Sequence, residues 1–311
     1  MNVLITRAAV VQLRAERLAE AGRFYRQMRA VVRQAAQAGA QLIVLPAYTG
    51  LLPLPDEPTG ESLRRAAPKL RATYLATFSR LAAEFRLHIA AGTLLLPDQQ
   101  GRLYHTAHLF GPNGEIGTQR QTHLGPQERA WGVAGSEELA VFPTPVGRLG
   151  FVLGEDVRYP EVSRILALQG ANVLVHPAAT AAESQAVDSQ AAWLARLWRE
   201  VQGNQVFGLE AALVGDLWGT AWRGRSTVHA PLEMTTGNTG LLAQAQTSDS
   251  AEIVLADLDF ARLQQVVDGY HIFGQLNYPL YEREWPTVYR GIRDREIRES
   301  GLISKPDSPI P

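Results

Sequence analysis

The stretch "GRLGFVLGEDVRYPE", Gly147 to Glu161, decides how this chain is read. An apolar run ends at Gly154, which marks a buried strand closed by a turn. Two acids, Glu155 and Asp156, follow it, then Arg158, an aromatic residue, Pro160 and Glu161. The layout is that of a catalytic turn at a strand end. Such an elbow is a tight strand-to-helix turn with strained backbone angles. The question is where its nucleophile stands.

Working outward, strand-like runs alternate with helical patterns. Val3–Val11, "QLIVLPA", "HIAAGTLLLP", "NVLVHPAA", "VFGLEAALVGDL", "STVHAPL" and "AEIVLADLD" read as strands. "TAHLFGPNGEIGTQR" reads as two strands joined at a Pro-Asn-Gly turn. From Leu18 to Ala38, apolar residues including Phe24, Met28, Val32 and Ala35 recur near helical spacing, and Gly39 ends the helix. Thr73–Phe85 and "EVSRILALQGA" predict two more helices, and Asp188–Val201 another, with Trp193, Leu197 and Val201 on one face. Fully apolar strands alternating with helices place sheets beneath helices, and the hairpin makes those sheets mixed. Residues 1–268 form one domain without a linker. Residues 269–311 are an extension, first crowded with aromatics (Tyr270, Phe273, Tyr278, Tyr281, Trp285, Tyr289), then charged; the final "KPDSPIP" is expected to be disordered.

The chain has 311 residues, 46% hydrophobic and 20% charged, enough to bury a large core. With 30 basic and 31 acidic residues, no excess of either sign points to nucleic acid or a membrane surface. No apolar run reaches membrane-span length, and the N-terminus reads as a strand rather than a signal peptide, so a cytoplasmic location is expected. There is no cysteine, which excludes disulfides, thiolate metal sites and a thiol nucleophile. The histidines, His105, His108, His123 and His176 among them, show no metal-ligand spacing, and no metal or cofactor is expected.

The order of motifs resembles the nitrilase, or carbon–nitrogen hydrolase, superfamily. The matching pieces are "AGAQLIVLP" (Ala38–Pro46), "GPNGEIGTQRQTHL" (Gly111–Leu124), the opening stretch, "LALQGANVLVHPAA" (Leu166–Ala179), "GRSTVHAP" (Gly224–Pro231) and "AEIVLADLDFARL" (Ala251–Leu263). The resemblance implies an α/β fold, a four-layer αββα sandwich of two mixed sheets covered by helices. It also implies a homodimer, with the C-terminal extension at the interface. Family chemistry uses a glutamate base, a lysine that stabilises developing negative charge, and a cysteine nucleophile.

Carried over residue by residue, the glutamate position is Ala47, the lysine position is Gln121 in "RQTHL" beside His123, and the cysteine position is Gly154. A second family glutamate matches Glu128. His105, Gly203 and Ala212 also depart from the family pattern. The resemblance therefore implies a pseudoenzyme whose remnant pocket, near Ala47, Gln121, His123, Glu128, Gly154 and Glu155, takes a small polar or amide-like ligand, or a scaffold. The alternative is a rebuilt hydrolase of amides or nitriles, in which Glu128 with Glu155 or Asp156 activates water. Glu128 is expected either to hydrogen-bond Gln121 in the pocket or to be a structural acid at a loop corner. Asp156 is expected to form a salt bridge near Arg158, and Glu155 either to enter the pocket or to lie on the surface.

Overall fold

The computed structural model describes residues 5–55, 57–182, 197–270 and 275–299. The chain divides into two compact units, Met1–Val266 and Val267–Pro311. In the first unit, sheet one orders β5 (Gly114–Arg120), β4 (Leu103–Gly111), β3 (His88–Pro97), β2 (Leu42–Val44), β1 (Ile5–Arg14) and β13 (Glu252–Asp259). Sheet two orders β6 (Val141–Thr144), β7 (Gly147–Phe151), β8 (Val173–Ala178), β9 (Phe207–Leu217), β11 (Thr227–His229) and β12 (Leu241–Gln244). A short β10 (Thr220–Trp222) turns back on the end of β9. The sheets meet where β1 and β9 run parallel for two residue pairs, Leu13 with Leu213 and Arg14 with Val214.

Both faces of the central strands are buried, as their unbroken apolar runs require. Ala8, Ala9, Val10, Ile43, Val44, Leu174 and Leu209 expose none of their surface. Helices α1 (Ala21–Gln37) and α2 (Gly60–Phe85) cover the outer face of sheet one. Their Phe24, Met28, Val32, Tyr74 and Phe78 join Val11, Ile43 and Ile89 in one cluster. Full burial of a large apolar side chain contributes roughly 1.5–3 kcal/mol, so this layer is a main source of stability. Helices α4 (Pro160–Leu168) and α5 (Leu197–Asn204) lie on sheet two. The result is the αββα sandwich.

The elements follow the sequence with explicable differences. Helix α1 ends at Gln37, and Gly39, just past its cap at Ala38, takes φ +84°. Helix α2 begins at Gly60, well before Thr73, and runs through Pro68; a reciprocal cap between Thr59 and Ser62 starts it. The helix expected from Asp188 is described from Leu197 onward, and its earlier residues lie outside the described ones, as do Val3, Phe273 and the 305–311 tail. In the second unit, α7 (Tyr278–Glu299) exposes Tyr278, Trp285 and Tyr289, with the last two rings stacked. Helix α6 (Phe260–Tyr270) crosses the division between the units. Among the described residues, no helix is long and apolar enough to cross a membrane.

One irregularity positions the site. Between Ala90 and Thr93 the register of β3 on β4 shifts. Gly92 there takes φ +72°, and a Cβ on it would lie 2.0 Å from the Pro46 carbonyl oxygen. Only glycine fits, and the bulge it makes presents Thr93 to the loop after β2. Gly92→Ala is expected to destabilise the fold by about 3 kcal/mol, because backbone strain and a clash with main chain combine. Urea unfolding measures this.

Candidate functional site

Strand β7 leads through Val152 and Leu153 into a 3-10 turn, Gly154–Arg158, and then into α4. Gly154 takes φ +51°, where a Cβ is strained. A second constraint acts on the same residue. A Cβ on Gly154 would lie 2.7 Å from Gln121 Nε2 and 3.1 Å from its Cδ. The Gln121 amide, fully buried, fills the space that a side chain at 154 needs.

Gln121 is held from both ends. Its Nε2 donates to the His123 carbonyl at 2.6 Å, so its Oε1 faces His105 Nδ1 at 2.5 Å. That orientation makes Nδ1 the protonated nitrogen of His105. His105 Nε2 then accepts from the Thr93 hydroxyl at 2.5 Å, and Thr93 Oγ accepts from Tyr48 N at 2.8 Å. Burial holds the His105 pKa below its ordinary 6.5, outweighing the nearby Glu128 carboxylate, which pulls the other way. The ring is a neutral link between Thr93 and Gln121.

Glu128 lies in the short helix α3 (Pro126–Ala130) and is buried. Its Oε2 accepts from Gly125 N at 3.0 Å, closing the helix start. Its Oε1 accepts from the Tyr48 hydroxyl at 2.6 Å. The expected Gln121 partner is therefore replaced by Tyr48, because both ends of the Gln121 amide are committed elsewhere. Tyr48 takes φ +60° in the loop after Ala47, and its ring stacks on His105 with centroids 5.0 Å apart. Burial raises the Tyr48 pKa well above 10.0, and the charges of Glu128 and Glu155 raise it further. The hydroxyl stays a donor.

Asp156 does not pair with Arg158. It is buried and accepts at Oδ1 from Thr122 Oγ (2.7 Å) and His123 N (2.6 Å), and at Oδ2 from Leu153 N (3.4 Å). Backbone donors surround it, so it anchors the loop. Arg158 pairs instead with Glu155, Nε to Oε2 at 2.8 Å.

A cavity of about 400 Å³ opens between the strand ends of the two sheets. Ala47, Glu128, Gly154 and Glu155 line it, together with Tyr48, His105, Arg158, His176, Glu210 and Trp222. Gln121 and His123 are not in its wall: Gln121 is enclosed behind Gly154, and His123 stacks on Tyr159 at 3.6 Å. Sequence reasoning missed Tyr48, Glu210 and Trp222 as site residues. Tyr48 had one available signal, its place directly after Ala47. Among the described residues, no group of three or more His, Cys, Asp or Glu is placed to hold a metal ion.

Two outcomes are expected. Gly154→Cys should cost more in the wild-type background than in Gln121→Ala, by roughly 1 kcal/mol, because removing the amide relieves the overlap. A double-mutant cycle of unfolding free energies measures it. His105, with its folded pKa depressed, contributes stability that is present above pH 6.5 and lost as pH falls below it. His105→Asn should flatten that acid arm, whose slope from one proton is at most about 1.4 kcal/mol per pH unit. Urea titrations at pH 7.5 and 5.5 read the difference.

The comparisons agree with this architecture. A family model described as carbon-nitrogen hydrolase matches residues 7–267. The "Nitrilase" of Pyrococcus abyssi is 28% identical over 90% of this chain and all of its own length. The "Omega-amidase NIT2" of Bos taurus is 28% identical over 82% of this chain and 89% of its own length. The "Probable hydrolase YhcX" of Bacillus subtilis is 24% identical over 83% of this chain, which spans only 51% of that protein. In fold, a carbon-nitrogen hydrolase from Helicobacter pylori superposes with TM-score 0.75 at 22% identity, covering 91% of this chain and 98% of its own. Saccharomyces cerevisiae Nit3 gives 0.73 at 20%, covering 88% and 97%. The family model covers most of the chain and the fold neighbours share its sandwich: this chain belongs to the carbon–nitrogen hydrolase family.

Proposed function

We propose that this protein is a non-catalytic member of its family that keeps the cavity as a binding site for a small ligand. The reading is carried by one observation: at the strand-end turn, where the resemblance puts a cysteine, Gly154 stands with the Gln121 amide packed into the space of its missing side chain. The inherited covalent route needs a thiolate attacking carbon, and the sequence contains no cysteine. With Ala47 at the base position and Gln121 at the lysine position, neither proton transfer nor oxyanion stabilisation has its inherited group. The names of the relatives, nitrilase and omega-amidase, support a ligand of small-molecule size.

A second reading has its own support. A Cβ on Gly125 would lie 2.7 Å from Glu128 Oε2 and 3.7 Å from Glu155 Oε1, so two carboxylates flank one point of the cavity wall. Such a pair can activate water without a covalent intermediate. Asp156, saturated by Thr122, His123 and Leu153, is not suited to that role.

Ammonia release from a panel of amides, nitriles and N-carbamoyl compounds separates the two. The wild type is expected to match the buffer rate throughout. Release above that rate, abolished in Glu128→Ala, would overturn the non-catalytic reading and establish the carboxylate pair.

A further inference from the structure

We infer that the cavity recognises a small aliphatic ammonium ion, held between the carboxylates of Glu128 and Glu155. The inference rests on the binding-site reading above and names its ligand class.

The argument begins with donors and acceptors. The donors buried in the cavity wall are committed. The Tyr48 hydroxyl goes to Glu128, His176 Nδ1 donates to the Val152 carbonyl at 2.7 Å, and Trp222 Nε1 donates to the Leu217 carbonyl at 3.2 Å. Acceptors remain. An ionised carboxylate has about four lone-pair sites, and Glu128 spends two of them, on Tyr48 and Gly125. Glu155 gives Oε2 to Arg158, while its Oε1 lies on the Gly125 side with Glu128. With Nδ1 protonated, His176 presents Nε2 as an acceptor.

Charge points the same way. Among the described residues that line the cavity, the carboxylates are Glu128, Glu155 and Glu210, and Arg158 is the lysine or arginine present, already paired with Glu155. His229 approaches Glu210 at 3.9 Å from behind. Arg158 compensates Glu155 at Oε2 only, Glu128 has neutral donors as its hydrogen-bond partners, and a cation between the two would be attracted by both carboxylates. Position 121 carries a neutral amide, so the chain places no ammonium of its own there. A ligand ammonium, with three donors on one nitrogen, complements the pair.

The remaining walls fit an alkylamine. The rings of Tyr48 and Trp222, 5.8 Å apart, both border the cavity as part of its wall. Ala178, Ala179 and Ala221 give it an apolar side for a short methylene chain.

Calorimetric titration of the full chain at pH 7.5 with pentan-1-amine and with pentanamide, similar in length but one a cation and the other neutral, tests this. The amine is expected to bind roughly tenfold or more tighter than the amide, with an affinity that falls as salt is added. Glu128→Gln and Glu155→Gln should each weaken the amine by roughly tenfold and leave the amide unchanged. The partly exposed Glu155 keeps the test valid if Glu128→Gln fails to fold, which its circular dichroism would reveal. Amide bound as tightly as amine, or amine binding that neither variant weakens, overturns the ammonium inference and leaves the binding site standing. Binding of neither compound overturns both.

Discussion

The carboxylate of Asp156 ties together two loops that belong to different sheets. It takes hydrogen bonds from Thr122 and His123, which follow the edge strand β5 of sheet one, and from Leu153, at the end of a strand in sheet two. A buried charge is tolerable only when its oxygens are satisfied in this way. By meeting that demand with main-chain groups from both sides, Asp156 fixes where Gln121 and Gly154 stand relative to each other. The packing of one against the other depends on that tie, and so does the wall that Glu128 and Glu155 form. The network retains no orphan at its centre. His105, Gln121, Thr93 and Tyr48 pass hydrogen bonds along the chain, and Glu128 accepts at its end from Tyr48 and Gly125.

That closure bears on how the site is understood. A half-satisfied polar network in a protein interior costs more than an apolar core. Glutamine at 121 and histidine at 105 suit one another, and glycine at 154 suits both, because it leaves room for the amide. Under the proposed reading, the site is a repacked interior with a stable arrangement of its own, in which an inherited cavity persists with a changed electrostatic character.

Much of this was legible in the residues. Strands β3, β8 and β9 announced themselves as apolar runs, since burial on both faces leaves little polar alternation to confuse them with loops. The positions of Ala47, Glu128 and Gly154 could be read from colinear motifs, and the cavity brings them together. What escaped was decided by tertiary partners. The short strands β6, β10 and β12 gain their hydrogen bonds from neighbours, not from propensity. Proline at position 68 disguised the first half of α2, whose start depends on a cap at Thr59. Tyr48 replaced the expected partner of Glu128 because the amide of Gln121 had turned to two histidines, its Nε2 to the His123 carbonyl and its Oε1 to the His105 ring. The pairing of Arg158 with Glu155 rather than Asp156 has the same origin.

The pairing of β1 with β13 bears on how the domain is made. Ile5 lies opposite Asp259 and Gln12 opposite Glu252, so the first strand finds this antiparallel neighbour only among the last residues of the sandwich. On the ribosome, β1 emerges early and can dock β2, yet its other edge stays unpaired until nearly the whole domain has been synthesised. An apolar strand with an open edge is a template for the wrong partner. Closing the sheet between such distant segments is a non-local pairing, whose loop-closure entropy is paid before its contacts form. During synthesis, then, the aggregation hazard of this domain sits on the open edge of β1, and a chaperone that shields that edge would act on the segment the native sheet completes last.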